Sequence, residues 1–174
     1  IYACAKQLLE RVLDALWKTE GFQFSVIRPF NFVGPRIDYL PSETGGGNPR
    51  VFSHFMDALL YGNKPMQLVD GGHAYRAYTY IDDAVDCMVR IIEDKNKNCE
   101  GQIFNIGQPE NELTIAEMAE KMCDIFDEHF RQEGDPPRPE IVSISGEEFY
   151  GPGYEDCDRR IADITKARTL LEWE

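Results

Sequence analysis

Phe22-Gln23-Phe24-Ser25-Val26-Ile27-Arg28-Pro29-Phe30-Asn31-Phe32-Val33-Gly34-Pro35-Arg36 is the stretch on which the fold turns. Residues 22–27 are dense in aromatic and β-branched side chains, which suit a covered, pleated surface. Arg28-Pro29 then interrupts the run, since proline has no backbone donor and holds its predecessor extended. The segment therefore reads as a buried strand running out into a loop. Upstream, Leu8, Leu9, Val12, Leu13 and Leu16 recur at helical spacing and Gly21 follows as a stop signal, which predicts an amphipathic helix before the strand. Downstream, residues 31–49 form a long Gly/Pro-rich connection containing Gly45-Gly46-Gly47. It is longer than the connections inside compact domains usually are, as a binding loop or lid would be.

The rest of the chain alternates in the same way. A helix is expected over about Val51 to Tyr61, short strands over 66–69 and 75–79 around the turn signal Asp70-Gly71-Gly72, and a helix to about Glu93 capped by Asp82. Gln102 to Ile106 reads as another buried strand, and Thr114-Ile115-Ala116-Glu117 is a capping box opening a helix to about Phe130. A hydrophilic stretch over 131–139 leads to a last strand at 141–144, then to Tyr150-Gly151-Pro152-Gly153-Tyr154 and a helix from near Asp163 to Leu171. Such alternation predicts an α/β architecture.

Composition narrows the class. The 174 residues suffice for one core, and 43% hydrophobic residues is ordinary globular usage. A formal net charge of -13 repels phosphate backbones and anionic lipid surfaces, so neither nucleic acid nor a membrane is expected as a partner. An anionic metabolite is admitted where arginines gather. With no apolar run of about 18 residues and no signal pattern in residues 1–6, a soluble cytoplasmic protein is expected. Cys4, Cys87, Cys99, Cys123 and Cys157 are odd in number and form no CxxC pair, which predicts neither a disulfide scaffold nor a metal site.

Tyr2-Ala3-Cys4-Ala5-Lys6 places a phenol and an ammonium one helical turn apart on one face. A neighbouring cation stabilises phenolate and lowers the tyrosine pKa from about 10, so the phenolate can take a proton from a hydroxyl. The same spacing also describes a plain surface pair.

Tyr2-x-x-x-Lys6, Arg28-Pro29-Phe30-Asn31-Phe32-Val33-Gly34-Pro35-Arg36, Tyr80-Ile81-Asp82-Asp83-Ala84 and Phe104-Asn105-Ile106-Gly107 occur in the order seen in extended short-chain dehydrogenases/reductases. On these motifs the whole chain resembles that family, the NAD-dependent epimerases/dehydratases. Gln67-Leu68-Val69-Asp70-Gly71-Gly72 with Arg76, the run 105–112 and the run 149–156 narrow the resemblance to UDP-glucuronic acid decarboxylases. Those include the polymyxin-resistance decarboxylase domain and UDP-apiose/UDP-xylose synthase.

The resemblance implies a Rossmann-like fold, NAD as cofactor, a UDP-sugar substrate and a homo-oligomeric full-length enzyme. It implies Tyr2 as catalytic base, with Lys6 as its electrostatic partner and a contact of the nicotinamide ribose. Asn31 would bind the sugar nucleotide. The run Gln67, Leu68, Val69, Asp70, Gly71 and Gly72 would line the uridine-diphosphate site, with Arg76 near phosphate and Tyr154 on the same ligand. Arg50, read from its place after the glycine run and not from the resemblance, would either reach a phosphate or be a flexible, exposed side chain. Arg160 would meet the carboxylated sugar, for which a planar guanidinium is well made, with Arg159 as its competitor.

No G-x-G-x-x-G turn occurs, although a dinucleotide's pyrophosphate needs that close backbone approach. The chain is therefore expected to be the C-terminal, substrate-binding half, with the nucleotide-binding half absent and no turnover alone. Three bland readings stand beside these. Asn31 would satisfy a turn, Asp156 to Arg160 would be a solvated charged loop, and Phe30 and Phe32 would be core or pocket wall. The rival functions are a sugar-nucleotide 4-epimerase or 4,6-dehydratase, and a non-catalytic sugar-nucleotide-binding or interaction module.

Overall fold

A computed structural model describes residues 2–45, 49–62, 64–153 and 155–173, the side chain of Tyr2 excepted. Helix α1 (Tyr2–Glu20) leads to strands β1 (Ser25–Pro29) and β2 (Phe32–Val33), then α2 (Pro41–Thr44), α3 (Val51–Tyr61) and β3 (Met66–Val69). A single 3-10 turn (Asp70–Gly72) precedes β4 (Tyr75–Ala77), β5 (Thr79–Tyr80) and α4 (Ile81–Glu93). The chain continues through β6 (Gln102–Ile106), β7 (Glu112–Thr114), α5 (Ile115–His129), β8 (Ile141–Ile144), α6 (Gly146–Tyr150), β9 (Arg159–Arg160) and α7 (Thr165–Leu171).

Two hydrophobic cores organise these elements. In the first, β1 lies parallel to β6, with Ser25 opposite Gln102 and Pro29 opposite Ile106. Cys87 of α4, Ala167 of α7, Phe104, Ile106 and Trp173 close that core. Trp173 settles there because its indole Nε1 donates to the Asp83 carbonyl at 3.0 Å, which satisfies the one polar atom the ring would otherwise bury. In the second core β3 runs parallel to β8, and Phe55, Ala58 and Leu59 of α3 meet Met66, Leu68, Met118, Ala119 and Cys123. Between them β4 sits between antiparallel β7 and parallel β9, while β2 pairs parallel with β5. Parallel strands joined through helices give the α/β class expected.

Local signals account for the boundaries. Thr114 Oγ1 accepts from the Glu117 N–H at 3.0 Å while the Glu117 carboxylate accepts from the Thr114 N–H at 2.8 Å, so the capping box forms as read. Gly34 is needed where it stands, because a Cβ there would lie 2.4 Å from Ile81 Cγ2, and its φ of 152° is one other residues rarely adopt.

Three expectations are corrected. The strand expected over 22–27 is β1 at 25–29, paired among the described residues with β6 alone and half covered rather than buried; its proline sits at the strand's end, where a missing donor is tolerated. The strand expected over 75–79 divides at Tyr78, because the Asn31 side chain takes the Ala77 carbonyl and the Asn31 carbonyl takes the Thr79 N–H. Asp82 does not cap α4: Tyr80 is the N-cap and makes no side-chain cap bond, and Asp82 and Asp83 occupy the first turn, where the helix dipole favours acids. The amphipathic helix expected before β1 is α1, and its apolar stripe is exposed, Leu8 at 62% and Leu9 at 58%. That helix is fastened at its middle by the Arg28 fork on Glu10 and near its C-terminal end by Trp17 Nε1 donating to Glu100. No described helix is long and apolar enough to cross a membrane.

Candidate functional site

A cavity of about 780 Å³ opens between the two cores. Its size suits a ligand somewhat larger than most small molecules. Among the described residues its wall includes the loop after β1, helix α3, strands β3 and β4, and Phe149, Tyr150, Asp156 and Arg160.

Asn31 turns the chain from β1 into β2 with φ 44°, a left-handed backbone that asparagine tolerates better than most residues. Its Nδ2 donates to the Ala77 carbonyl at 2.9 Å. Asn31 thus borders the cavity and also braces the turn, so the ligand role and the bland role fall on one residue. Phe32 is cavity wall as well as a partner of the first core, and Phe30 packs against that core alone.

Period-two alternation divides the run expected to line a nucleotide. Gln67 and Val69 face the cavity, while Leu68, 6% exposed, points into the second core. Asp70 borders the cavity, but its Oδ1 accepts from the Gly146 N–H at 2.9 Å and so anchors α6. Gly71 and Gly72 do not border it. Gly72, at φ 68°, lets the turn come so close to α5 that an added Cβ would stand 3.0 Å from the Ala116 nitrogen.

The charged wall is built around one aspartate. Arg76 is buried in β4; its guanidinium donates to the Tyr75 carbonyl at 2.7 Å, the Cys157 carbonyl at 2.8 Å and Asp156 Oδ2 at 2.6 Å. Arg160, more than 80 residues later, approaches the other Asp156 oxygen at 3.3 Å and faces the same cavity. Arg159 does not: strand alternation turns it outward, where its fork grips Glu112 at 2.8 and 2.9 Å. Glu112 is held below the ordinary carboxylate range by that fork. The competition between the two arginines is thereby resolved by geometry in favour of Arg160 as the cavity residue.

Arg50 also lines the cavity, yet it is engaged: its N–H and Nε both donate to Asp38, at 2.9 and 3.2 Å, and its NH2 donates to the Ile37 carbonyl. Hydrogen bonds from Arg50 and Tyr39 hold Asp38 below the usual carboxylate range despite its burial. Lys6 lies exposed on α1 and is not among the cavity residues. The Tyr2 side chain and Tyr154 lie outside the described residues.

Sequence reading missed His54, Asp57, Lys64 and Tyr78. His54 and Asp57 are three apart on α3, so one helical face presents both. Asp57 is buried and accepts from the Ser42 N–H and hydroxyl at 2.9 and 2.8 Å, which pins α2 beside the cavity. Burial pushes the His54 imidazole below its ordinary pKa, against the opposing pull of Asp57. The helical periodicity of 51–61 was a usable signal for this face; nothing in the sequence marked Lys64.

The described residues do not fit the pyrophosphate of a dinucleotide. The helices that directly follow strands begin with acids, Asp82 and Asp83 in α4 and Glu117 in α5, and these would repel an anion at the helix N-terminus.

Comparison with known proteins agrees with the geometry. The chain is 42% identical to UDP-D-apiose/UDP-D-xylose synthase of Oryza sativa subsp. japonica, an alignment covering 99% of this chain and 43% of that protein. It is 42% identical to UDP-D-apiose/UDP-D-xylose synthase 1 of Arabidopsis thaliana, covering 99% of this chain and 44% of that protein. It therefore spans less than half the length of these curated relatives. Among solved structures, the PbgP3 protein of Burkholderia pseudomallei superposes with TM-score 0.74 at 32% identity, over 99% of this chain and 47% of the other. The UDP-glucose 4-epimerase of Thermotoga maritima does so with TM-score 0.74 at 25% identity, again over 99% and 47%. The motifs running from the α1 pair to Gly107 fall within residues 1–107, which match the NAD dependent epimerase/dehydratase family, and the chain belongs to that family.

Proposed function

We propose that this chain forms the sugar-nucleotide-binding part of an enzyme that oxidises and decarboxylates UDP-glucuronic acid to a UDP-4-keto-pentose or UDP-pentose. The observation that carries the reading is the Arg76–Asp156–Arg160 cluster on one cavity wall. A nucleotide-linked uronic acid has two anionic parts, a diphosphate and a carboxylate, and the two guanidiniums differ in a way that suits them. Arg76 is buried and fixed by three acceptors, as a diphosphate anchor should be. Arg160 is half exposed and held by one long hydrogen bond, so it can turn to the sugar's carboxylate. The curated relatives, named as UDP-D-apiose/UDP-D-xylose synthases, support a UDP-sugar as the ligand class.

In this mechanism Tyr2, its phenolate favoured by Lys6, accepts the proton of the sugar's 4-hydroxyl. Oxidation at carbon 4 leaves a ketone β to the carboxylate on carbon 5. The carbon–carboxyl bond then breaks, carbon dioxide leaves, and the bond's electrons pass into an enolate. Arg160 orients the carboxylate before that step and stabilises the enolate oxygen after it. NAD is the oxidant this reading implies and, when bound, would take the hydride that leaves carbon 4 as Tyr2 takes the proton; the described residues offer its pyrophosphate no cradle. All five cysteines are free, which suits a reducing cytoplasm. A homo-oligomer is part of the same reading.

Incubating the full-length protein with UDP-glucuronic acid and NAD, and trapping carbon dioxide, tests the proposal. Release is expected; an epimerised or dehydrated sugar without release would instead support a 4-epimerase or 4,6-dehydratase.

A further inference from the structure

Tyr78 sits between β4 and β5 with its ring on the cavity wall. Its backbone N–H is engaged by the Asn111 carbonyl at 3.0 Å, but its hydroxyl is buried and has no hydrogen-bond partner. Most buried polar side-chain atoms are satisfied, and an unpaired one costs stability that replacing it with carbon would not. The tyrosine ring alone would pack as well here, since it is one of the partly buried side chains set against the second core. The hydroxyl is therefore not explained by the packing of the ligand-free chain.

Ala77 and Thr79 beside it are fully buried and do not border the cavity, and Thr79 Oγ1 donates to the Phe30 carbonyl at 3.1 Å. Arg76 and Tyr78 share the cavity side, two residues apart. We propose that Tyr78 is a ligand-contacting residue of this cavity, its hydroxyl donating to a diphosphate oxygen of the bound nucleotide sugar that Arg76 holds. Burial raises the phenol's pKa to about 12, so it keeps its proton and remains a donor at any working pH. This assignment rests on the reading of the cavity as a UDP-sugar site.

The test is Tyr78→Phe in this chain, with UDP binding followed by calorimetry and stability followed by thermal melting. UDP affinity is expected to fall roughly tenfold, the usual range for a hydrogen bond to a charged group. The melting temperature is expected to hold or rise, because the variant removes an unsatisfied group. Unchanged UDP affinity in a variant of a binding-competent chain overturns the assignment and leaves the cavity reading intact. A lowered melting temperature overturns it too, because the hydroxyl would then have a structural partner. Failure of the unsubstituted chain to bind UDP overturns both.

Discussion

Replacing Arg76 with methionine removes the charge and the planar fork while retaining most of the apolar stem. Three acceptors lose their donor: the Tyr75 carbonyl, the Cys157 carbonyl and Asp156 Oδ2. Breaking a fully buried ion pair from one side costs about 3–5 kcal/mol. Here the figure is smaller, because the Asp156 side chain is 37% exposed, can hydrate, and retains Arg160. With the carbonyl bonds included, a loss of roughly 2–3 kcal/mol is expected. For a chain of this size that lowers the melting temperature by roughly 5–10 °C. The loss is local: hydrogen exchange should quicken first where β9 joins β4, at the Tyr75–Arg159 and Arg76–Arg160 pairings. UDP affinity should fall at least tenfold, as for a lost charged contact. A variant melting within a degree of the unsubstituted chain, with UDP affinity intact, would refute both the structural and the ligand role.

Arg160→Ala should weaken binding of UDP-glucuronic acid more than that of UDP-glucose, while Arg159→Ala should leave both unchanged; parallel titrations of the two ligands check this, and equal effects of the two variants would contradict the assignment. Acid should loosen α1 from β1. Glu10 is held below its ordinary pKa of 4.5 chiefly by its hydrogen bond with Arg28, so its contribution is complete above about pH 4.5 and is lost as pH falls through the lowered folded value. Exchange of α1 amides against pH measures that loss, and Glu10→Gln should abolish the dependence.

Much of the fold was legible because local chemistry and tertiary environment agree. Thr114 and Glu117 make their capping box wherever the helix packs, and Met66–Val69 alternates because one face meets a core. Reading failed where a long-range partner decides. Asn31 breaks the strand at Tyr78 from 46 residues away, and no local pattern announces it. Leu68 reads as nucleotide-lining within a resembling motif, yet strand alternation sends it inward. The stripe of α1 reads as amphipathic, but what covers it is not legible, because periodicity reports an apolar face and not its partner, and Leu8 and Leu9 stay exposed among the described residues. Arg159 and Arg160 could not be separated by type; only the register of β9 on β4 turns one outward.

The central claim is that the cavity beside Arg76 and Arg160 holds a nucleotide sugar, and calorimetric titration of this chain with UDP-glucuronic acid tests it most directly. Saturable one-to-one binding that UDP competes away, with no comparable binding of NAD, is the predicted result. No binding of UDP-glucuronic acid or UDP, or tight stoichiometric binding of NAD, would contradict it.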